Sequence, residues 1–153
     1  YRRLTRIPTP VRTKVSVAEL FTDLKKLFPE EEFQFEVPSP ELKLNVDRTQ
    51  IEQILINLLK NAREACSRKS DKKIQVKARK LSAGNTTLTI SDNGEGILPD
   101  VLDKIFVPFF TTKTSGSGIG LSLCKQIMTL HEGSINVKSE VGKGSSFILT
   151  FPK

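Results

Sequence analysis

The sequence predicts an α+β fold: a two-layer α/β sandwich with a mixed, mostly antiparallel sheet covered by helices on one face. Three observations carry this. Asp47 to Cys66 sets its apolar residues at helical period. Lys73 to Lys80 and Thr86 to Asp92 alternate apolar and polar residues on either side of a turn. Ser134 to Ser139 and Ser145 to Phe151 do the same around Gly142-Lys143-Gly144.

Taken in order, Tyr1 to Thr13 is basic and carries Pro8 and Pro10, which disfavour helix there, although a helix can end just before them. Lys14 to Val17 is a candidate short strand. Ser16, with Glu19 three residues on, reads as a capping box for a helix bearing Leu20, Leu24 and Leu27. Pro29 ends that helix, and Glu30 to Glu32 makes an acidic turn. Phe33, Phe35 and Val37 alternate as in a strand.

Asp47 is a good N-cap for the next helix. Ile51, Ile54, Leu55, Leu58, Leu59, Ala62 and Ala65 fall on one face of it. Asn57 and Asn61, four apart, stack at the edge of that stripe. They read either as solvated amides or as a pair with a job. In the paired strands, Ile74, Val76 and Ala78 oppose Leu88 and Ile90 around Ala83-Gly84-Asn85. A further amphipathic helix spans Ile119 to Leu130. No internal repeat is present.

Composition narrows the class without giving the job. The 153 residues suit one domain with a real core; 37% are hydrophobic and 27% charged, which excludes a disordered chain. No apolar run reaches the roughly 20 residues a membrane helix needs. The chain opens on Tyr1 rather than Met and reads as a piece of something longer. Cys66 and Cys124 form no CxxC and are expected to be buried free thiols. A single histidine leaves no basis for a structural zinc site. The net charge of +7 raises nucleic acid through Arg2, Arg3, Arg68, Lys69, Lys72 and Lys73, but one Tyr and no Trp leave little to stack on bases. A solvated basic face, or one meeting an acidic partner, is the better reading.

Three short stretches hold the chemistry. Asp92-Asn93-Gly94-Glu95-Gly96-Ile97 follows a strand directly. An ionised carboxylate at a strand end accepts a hydrogen bond from the exocyclic amine of adenine, and guanine offers a carbonyl there instead. Gly94 and Gly96 let backbone approach a flat ring. Gly116, Gly118 and Gly120 precede a helix and can present N–H groups to phosphate. The spacing fits neither a Walker A loop nor a dinucleotide-binding fingerprint. Between them, Ile105 to Lys113 (IFVPFFTTK) suits a mobile lid pinned by phenylalanines, with Thr111, Thr112 and Lys113 reaching phosphate. Phe106 and Phe109 read equally as a buried corner, and Lys113 as a surface lysine.

The ordered set NLLKNA, DNGEGI, IFVPFFTTK and GSGIGL resembles the N, G1, F and G2 boxes of the ATP-binding domain of sensor histidine kinases, the GHKL superfamily with its Bergerat fold. NLLKNA and FFTTK look most like the nitrogen-regulator subgroup. The resemblance covers roughly Lys14 to Lys153, making residues 1–13 the remnant of a preceding dimerisation helix or linker and 14–153 the catalytic domain. It implies a protein histidine kinase. Asn61, assisted by Asn57, would hold Mg²⁺ bridging the ATP phosphates, and Asn57, Asn61 and Lys113 would be the catalytic set. Asp92 would bind adenine, with Gly94, Gly96, Ile97 and Phe106 around it. Thr112, Lys113, Gly116, Gly118, Ile119, Gly120 and Leu121 would form the lid and phosphate loop, and Ser145 would support the pocket. Its implied partners are a histidine-bearing dimerisation domain and a response regulator. The implied location is cytoplasmic, with membrane attachment only through other parts of the parent.

Two departures stand out. Glu64 and Ala65 stand where many members carry a basic or aromatic residue. His131, the only histidine, matches a turn position rather than a phosphoacceptor, so self-phosphorylation needs the other domain. A related ATPase would place a Glu general base at position 57, where Asn cannot take a proton. A serine kinase or a degenerate nucleotide sensor would also carry a nucleotide-binding set of this kind.

Overall fold

The computed structural model describes residues 7–37, 39–108 and 120–153. Its elements are β1 (Thr13–Ser16), α1 (Val17–Leu27), β2 (Phe33–Glu36), β3 (Lys43–Val46), α2 (Arg48–Ala65), β4 (Ile74–Lys80), β5 (Thr86–Asp92), α3 (Pro99–Leu102), α4 (Gly120–Leu130), β6 (Ser134–Glu140) and β7 (Gly144–Phe151). Five strands form the main sheet in the order β2-β4-β5-β7-β6. Only β2 runs parallel to its neighbour β4; the other pairs are antiparallel.

The expected alternation puts the core on one face. Ile74, Val76 and Ala78 of β4 are buried, while Gln75, Lys77 and Arg79 between them are exposed. Leu88, Ile90, Phe147, Leu149 and Phe151 extend the buried surface. The helices close over it with Leu20 and Leu24 from α1 and Ile51, Ile54, Leu55, Leu58 and Leu59 from α2. Burying each such side chain stabilises by about 1.5–3 kcal/mol.

Two elements lie outside the expectation of a single sheet. β1 and β3 pair antiparallel as a separate two-stranded ladder, with Val15 opposite Leu44. Each runs straight into a helix, so this ladder joins the starts of α1 and α2 instead of extending the main sheet. Leu42, Leu44 and Val46 alternate with Lys43 and Asn45 and are buried, so β3 follows the same period as β2, although it is not among the expected strands. Pro99 opens α3, a single turn with no apolar period to betray it.

The caps follow the sequence. Ser16 Oγ accepts from Glu19 N at 3.2 Å. Asp47 Oδ1 accepts from Gln50 N at 3.2 Å, and its Oδ2 accepts from Val11 N at 2.9 Å. The segment before β1 is thereby strapped down: Gln50 Nε2 donates to Pro8 O (2.8 Å) and Arg12 to Leu130 O (2.9 Å). His131 is buried beside it. Its Nε2 accepts from Asp47 N (3.1 Å), so Nδ1 carries the proton donated to Ile127 O (2.9 Å). Both ring nitrogens are occupied in the fold, in keeping with a structural histidine.

The Val11 N–H, ahead of the Gln50 N–H, holds the Asp47 carboxyl below its ordinary value of 3.8, against a smaller opposing effect of burial. A depressed carboxylate adds stability above its unfolded pKa and loses it as pH falls through the folded one. Asp47→Ala is therefore expected to cost about 1–2 kcal/mol at neutral pH. The difference from wild type should shrink as the medium drops below 3.8, read by urea unfolding across pH. A pH-independent deficit would leave the cap without its electrostatic part.

Cys66 and Cys124 are free and buried, as expected. Burial pushes the Cys124 thiol up to about 12, and raises Cys66 too, with the Asp92 charge adding to it. Among the described residues no helix is long and apolar enough to cross a membrane.

Candidate nucleotide site

The site assembles where β5 runs out. Asp92 stands opposite Ser145 across the β5–β7 ladder. Burial raises the Asp92 carboxyl above 3.8; the backbone N–H groups of Gly94 and Ser145 partly offset this. The Gly94 N–H donates to Asp92 Oδ1 at 2.8 Å. A half-buried carboxylate here is an acceptor held in place by backbone donors.

The glycine loop after Asp92 is clamped from two sides. Against α2, a Cβ on Gly94 would lie 2.4 Å from Ala65 O, and Glu95 N donates to that same carbonyl at 3.1 Å. Against the β6–β7 turn, Gly96 takes φ +79 with a would-be Cβ 2.3 Å from Glu140 O, and Gly142 N donates to Glu95 O at 2.8 Å. Only glycine fits either contact.

Helix α2 connects this loop to α4. Ala65 meets the glycine loop at one end. Two turns earlier, Asn57 Oδ1 lies 2.9 Å from the Cβ that Gly120 lacks, at the first residue of α4. Asn57 also donates from Nδ2 to Gln53 O at 3.3 Å. Eight residues of helix set the two contacts about 12 Å apart. Asn61 lies between them on the same edge, and both asparagines are half-buried. Ile97 and Leu121 are half-buried against the core. The structure thus gathers Asn57, Asn61, Asp92, Gly94, Gly96, Ile97, Gly120, Leu121 and Ser145 along one face of α2 and the end of β5. Phe106 packs partly buried against the core with the Lys125 ammonium 5.7 Å from its ring centre. Thr112, Lys113, Gly116, Gly118 and Ile119 lie outside the described residues.

Two polar residues the sequence did not single out hold the loop. Asn93 accepts from Lys73 N (2.9 Å) and donates to Asp71 O (2.8 Å), bracketing the loop to the segment before β4. Ser139 accepts from Ile97 N at 2.7 Å, donates to Gly144 O at 3.2 Å, and lies 2.8 Å from Ser145 Oγ. With its one proton on Gly144 O, Ser139 takes its third bond from Ser145. Ser139→Ala is expected to cut nucleotide affinity about threefold to tenfold with little loss of fold, because the Ile97 N–H loses its anchor. Calorimetric titration alongside thermal unfolding separates the two; unchanged affinity would mean that the loop holds its shape without Ser139.

Among the described residues no group of three or more His, Cys, Asp or Glu could hold a metal on its own. The donors available are amide oxygens, which suit a hard cation whose negative ligands come from phosphate.

Residues 46–153 match the family described as histidine kinase-, DNA gyrase B-, and HSP90-like ATPase. The chain is 39% identical over 110 residues to the sensor histidine kinase ZraS of Salmonella typhimurium, covering 72% of this chain and 23% of that protein. The chain therefore spans about a quarter of that relative. The solved catalytic domain of the histidine kinase ThkA, in a nucleotide-free form, superposes with a TM-score of 0.81 at 35% identity, over 93% of this chain and 95% of that one. A structure of ThkA in complex with the response regulator protein TrrA matches at a TM-score of 0.75 and 31% identity, over 93% of this chain and 42% of that one. With the glycine loop, the paired asparagines and the strand-end carboxylate in place, the chain belongs to the histidine kinase-, DNA gyrase B-, and HSP90-like ATPase family and has the fold of a histidine kinase's ATP-binding catalytic domain.

Proposed function

We propose that this domain binds ATP with Mg²⁺ and transfers the γ-phosphoryl group to a histidine on a separate dimerisation domain of its parent, a two-component sensor kinase. The observation that carries the reading is Asp92: a half-buried carboxylate at a strand end, fixed by the Gly94 N–H beside a glycine loop in close contact with Ala65 and Glu140. There it accepts from the adenine amine, with Ile97 against the ring. Asn61 and Asn57 would hold Mg²⁺, which when bound neutralises phosphate charge, the main requirement of phosphoryl transfer. Gly120 and Leu121 would serve the lid and phosphate loop, a role the family resemblance extends to Thr112, Lys113, Gly116, Gly118 and Ile119. Ser145 steadies the Asp92 end through its backbone.

Asn57 stands where a hydrolase needs a general base, and an amide takes no proton at neutral pH. This favours transfer to a side chain over transfer to water. The buried His131, with both nitrogens engaged, is no acceptor. The phosphoryl group would then pass on to a response regulator. We place residues 1–13 with the linker to the dimerisation domain and the working location in the cytoplasm. NLLKNA and FFTTK favour the nitrogen-regulator subgroup.

Titrating ADP and a non-hydrolysable ATP analogue with and without Mg²⁺ tests the binding half. Mg²⁺ should strengthen the analogue, and Asn61→Ala should remove about tenfold or more of that gain while leaving Mg²⁺-free ADP binding alone. Labelled phosphate appearing on a supplied histidine-bearing helical domain tests the transfer half. Binding without transfer would reduce the domain to a nucleotide sensor.

A further inference from the structure

At the other end of β5 from Asp92 lies a cavity of about 330 Å³. Six residues of strand put it about 20 Å away. Arg12, Lys14, Lys43, Lys80 and Lys153 line it, with the buried Thr86 at its wall. These cations come from four separate segments, so sequence inspection sees no basic run. The β1–β3 register sets Lys14 opposite Asn45 and Lys43 opposite Ser16, which makes the two lysines diagonal neighbours on the exposed face of the ladder. Lys80 pairs with Thr86 at the turn end of β4 and β5. Gly84 takes φ +102 in that turn, and a Cβ there would lie 2.7 Å from the Lys153 Cδ. The missing side chain is what lets the Lys153 stem lie along the turn at the wall of the cavity.

The charge is not balanced from within. The ion pairs of the described residues engage Arg12, Lys26, Arg48, Arg63 and Lys143, and none engages Lys14, Lys43, Lys80 or Lys153. Glu132, the one carboxylate side chain lining the cavity among the described residues, is paired with Arg12 at 3.6 Å. Four lysines with no ion-pair partner among the described residues, lining one cavity, make it electropositive, and an anion is attracted to such a site. The volume falls at the lower end of small-ligand cavities, roughly 300–1,000 Å³.

We propose that this cavity is a binding site for a small multivalent oxyanion, a polyphosphate or a polycarboxylate, separate from the nucleotide site. The anion sits among the lysine ammoniums and the Arg12 guanidinium. Because Arg12 also donates to Leu130 O at the end of α4, the occupied site fastens the N-terminal strap more firmly to the body.

The test is a titration followed residue by residue through backbone amide shifts, using inorganic tripolyphosphate without Mg²⁺ and, in a second arm, citrate. Saturable shifts at Lys14, Lys43, Gly84 and Thr86 are expected. They should weaken at least about tenfold in Lys14→Gln/Lys43→Gln/Lys80→Gln and stay unchanged in Asp92→Asn. The stronger arm tells phosphate from carboxylate. Non-saturating shifts spread over all lysines, equal binding by the triple variant, or shifts confined to Asp92 and the start of α4 would each overturn the proposal. Tighter binding of a hexaglutamate peptide at the same amides would overturn it in favour of an acidic protein segment. The substituted lysines are exposed, and an unchanged amide spectrum of the free variant establishes that it folds.

Discussion

Asp92→Asn is expected to weaken adenine-nucleotide binding about tenfold to 100-fold while leaving the fold as stable as wild type, or slightly more so. The two halves have one cause. Burial raises the Asp92 carboxyl, so in the folded state the ionised form is disfavoured. A raised carboxylate weakens the fold at pH values above its unfolded pKa, and that penalty lifts as the group protonates. The amide carries no charge, can still accept from the Gly94 N–H, and escapes the penalty. It forfeits the charged acceptor, and a charge-assisted hydrogen bond is worth about 1.5–3 kcal/mol. Isothermal titration with ADP and thermal unfolding of the same samples read both effects. Wild-type binding should itself fade on acidification at a pH above the ordinary carboxylate value of 3.8. A variant that binds within threefold of wild type would place adenine recognition elsewhere.

Gly144→Ala should be the most damaging small substitution near the site. Its φ of +130 is already hostile to a side chain, and the new Cβ would fall 2.0 Å from Asp92 O and 2.9 Å from Asn93 Cα. Neither neighbour can yield, because one is ladder backbone and the other belongs to the bracketed loop. Backbone strain and overpacking together predict a loss of about 3–5 kcal/mol. Gly142→Ala is the matched control. Its φ is +83 but nothing lies within 4 Å of the added carbon, so strain alone, about 1 kcal/mol, remains. Urea unfolding of the pair separates clash from conformation. If both lose the same amount, the close approach of β7 to Asp92 does not matter energetically.

Local signals were legible wherever a residue's role depends on its immediate neighbours. Ser16 and Asp47 announced their helices by the residues that follow them, and both caps are present. The alternation in β4 and β5 gave their span to within a residue. The asparagine pair stood out as two amides at the edge of an apolar helix stripe, and the glycine loop because it follows a strand directly. Roles made by distant pairing were not legible. Ser139 looks like one more polar residue on a strand until Ile97, 42 positions away, is seen to donate to it. Asn93 drew no role from the sequence because its partners Asp71 and Lys73 precede it by a whole hairpin. The lysine cavity was hidden for the same reason. β3 carried its period in Leu42, Leu44 and Val46 and was overlooked; what the sequence could not show was its pairing with β1, which lies across α1.

The strap before β1 has a consequence for the order of assembly. Its anchors join residues 36, 42 and 118 apart in the chain, and Asp47 meets His131 across 84. Closing loops of such length costs entropy before any contact forms. These few anchors lie at the edge of the domain and lack the cooperative ladder of the sheet, so they are expected to form after the strands and α4 have settled. The same ordering makes them the first to open. Amide exchange at Val11 and Asp47 should then track partial opening of this seam, while the protons of β5 wait for the whole domain to unfold.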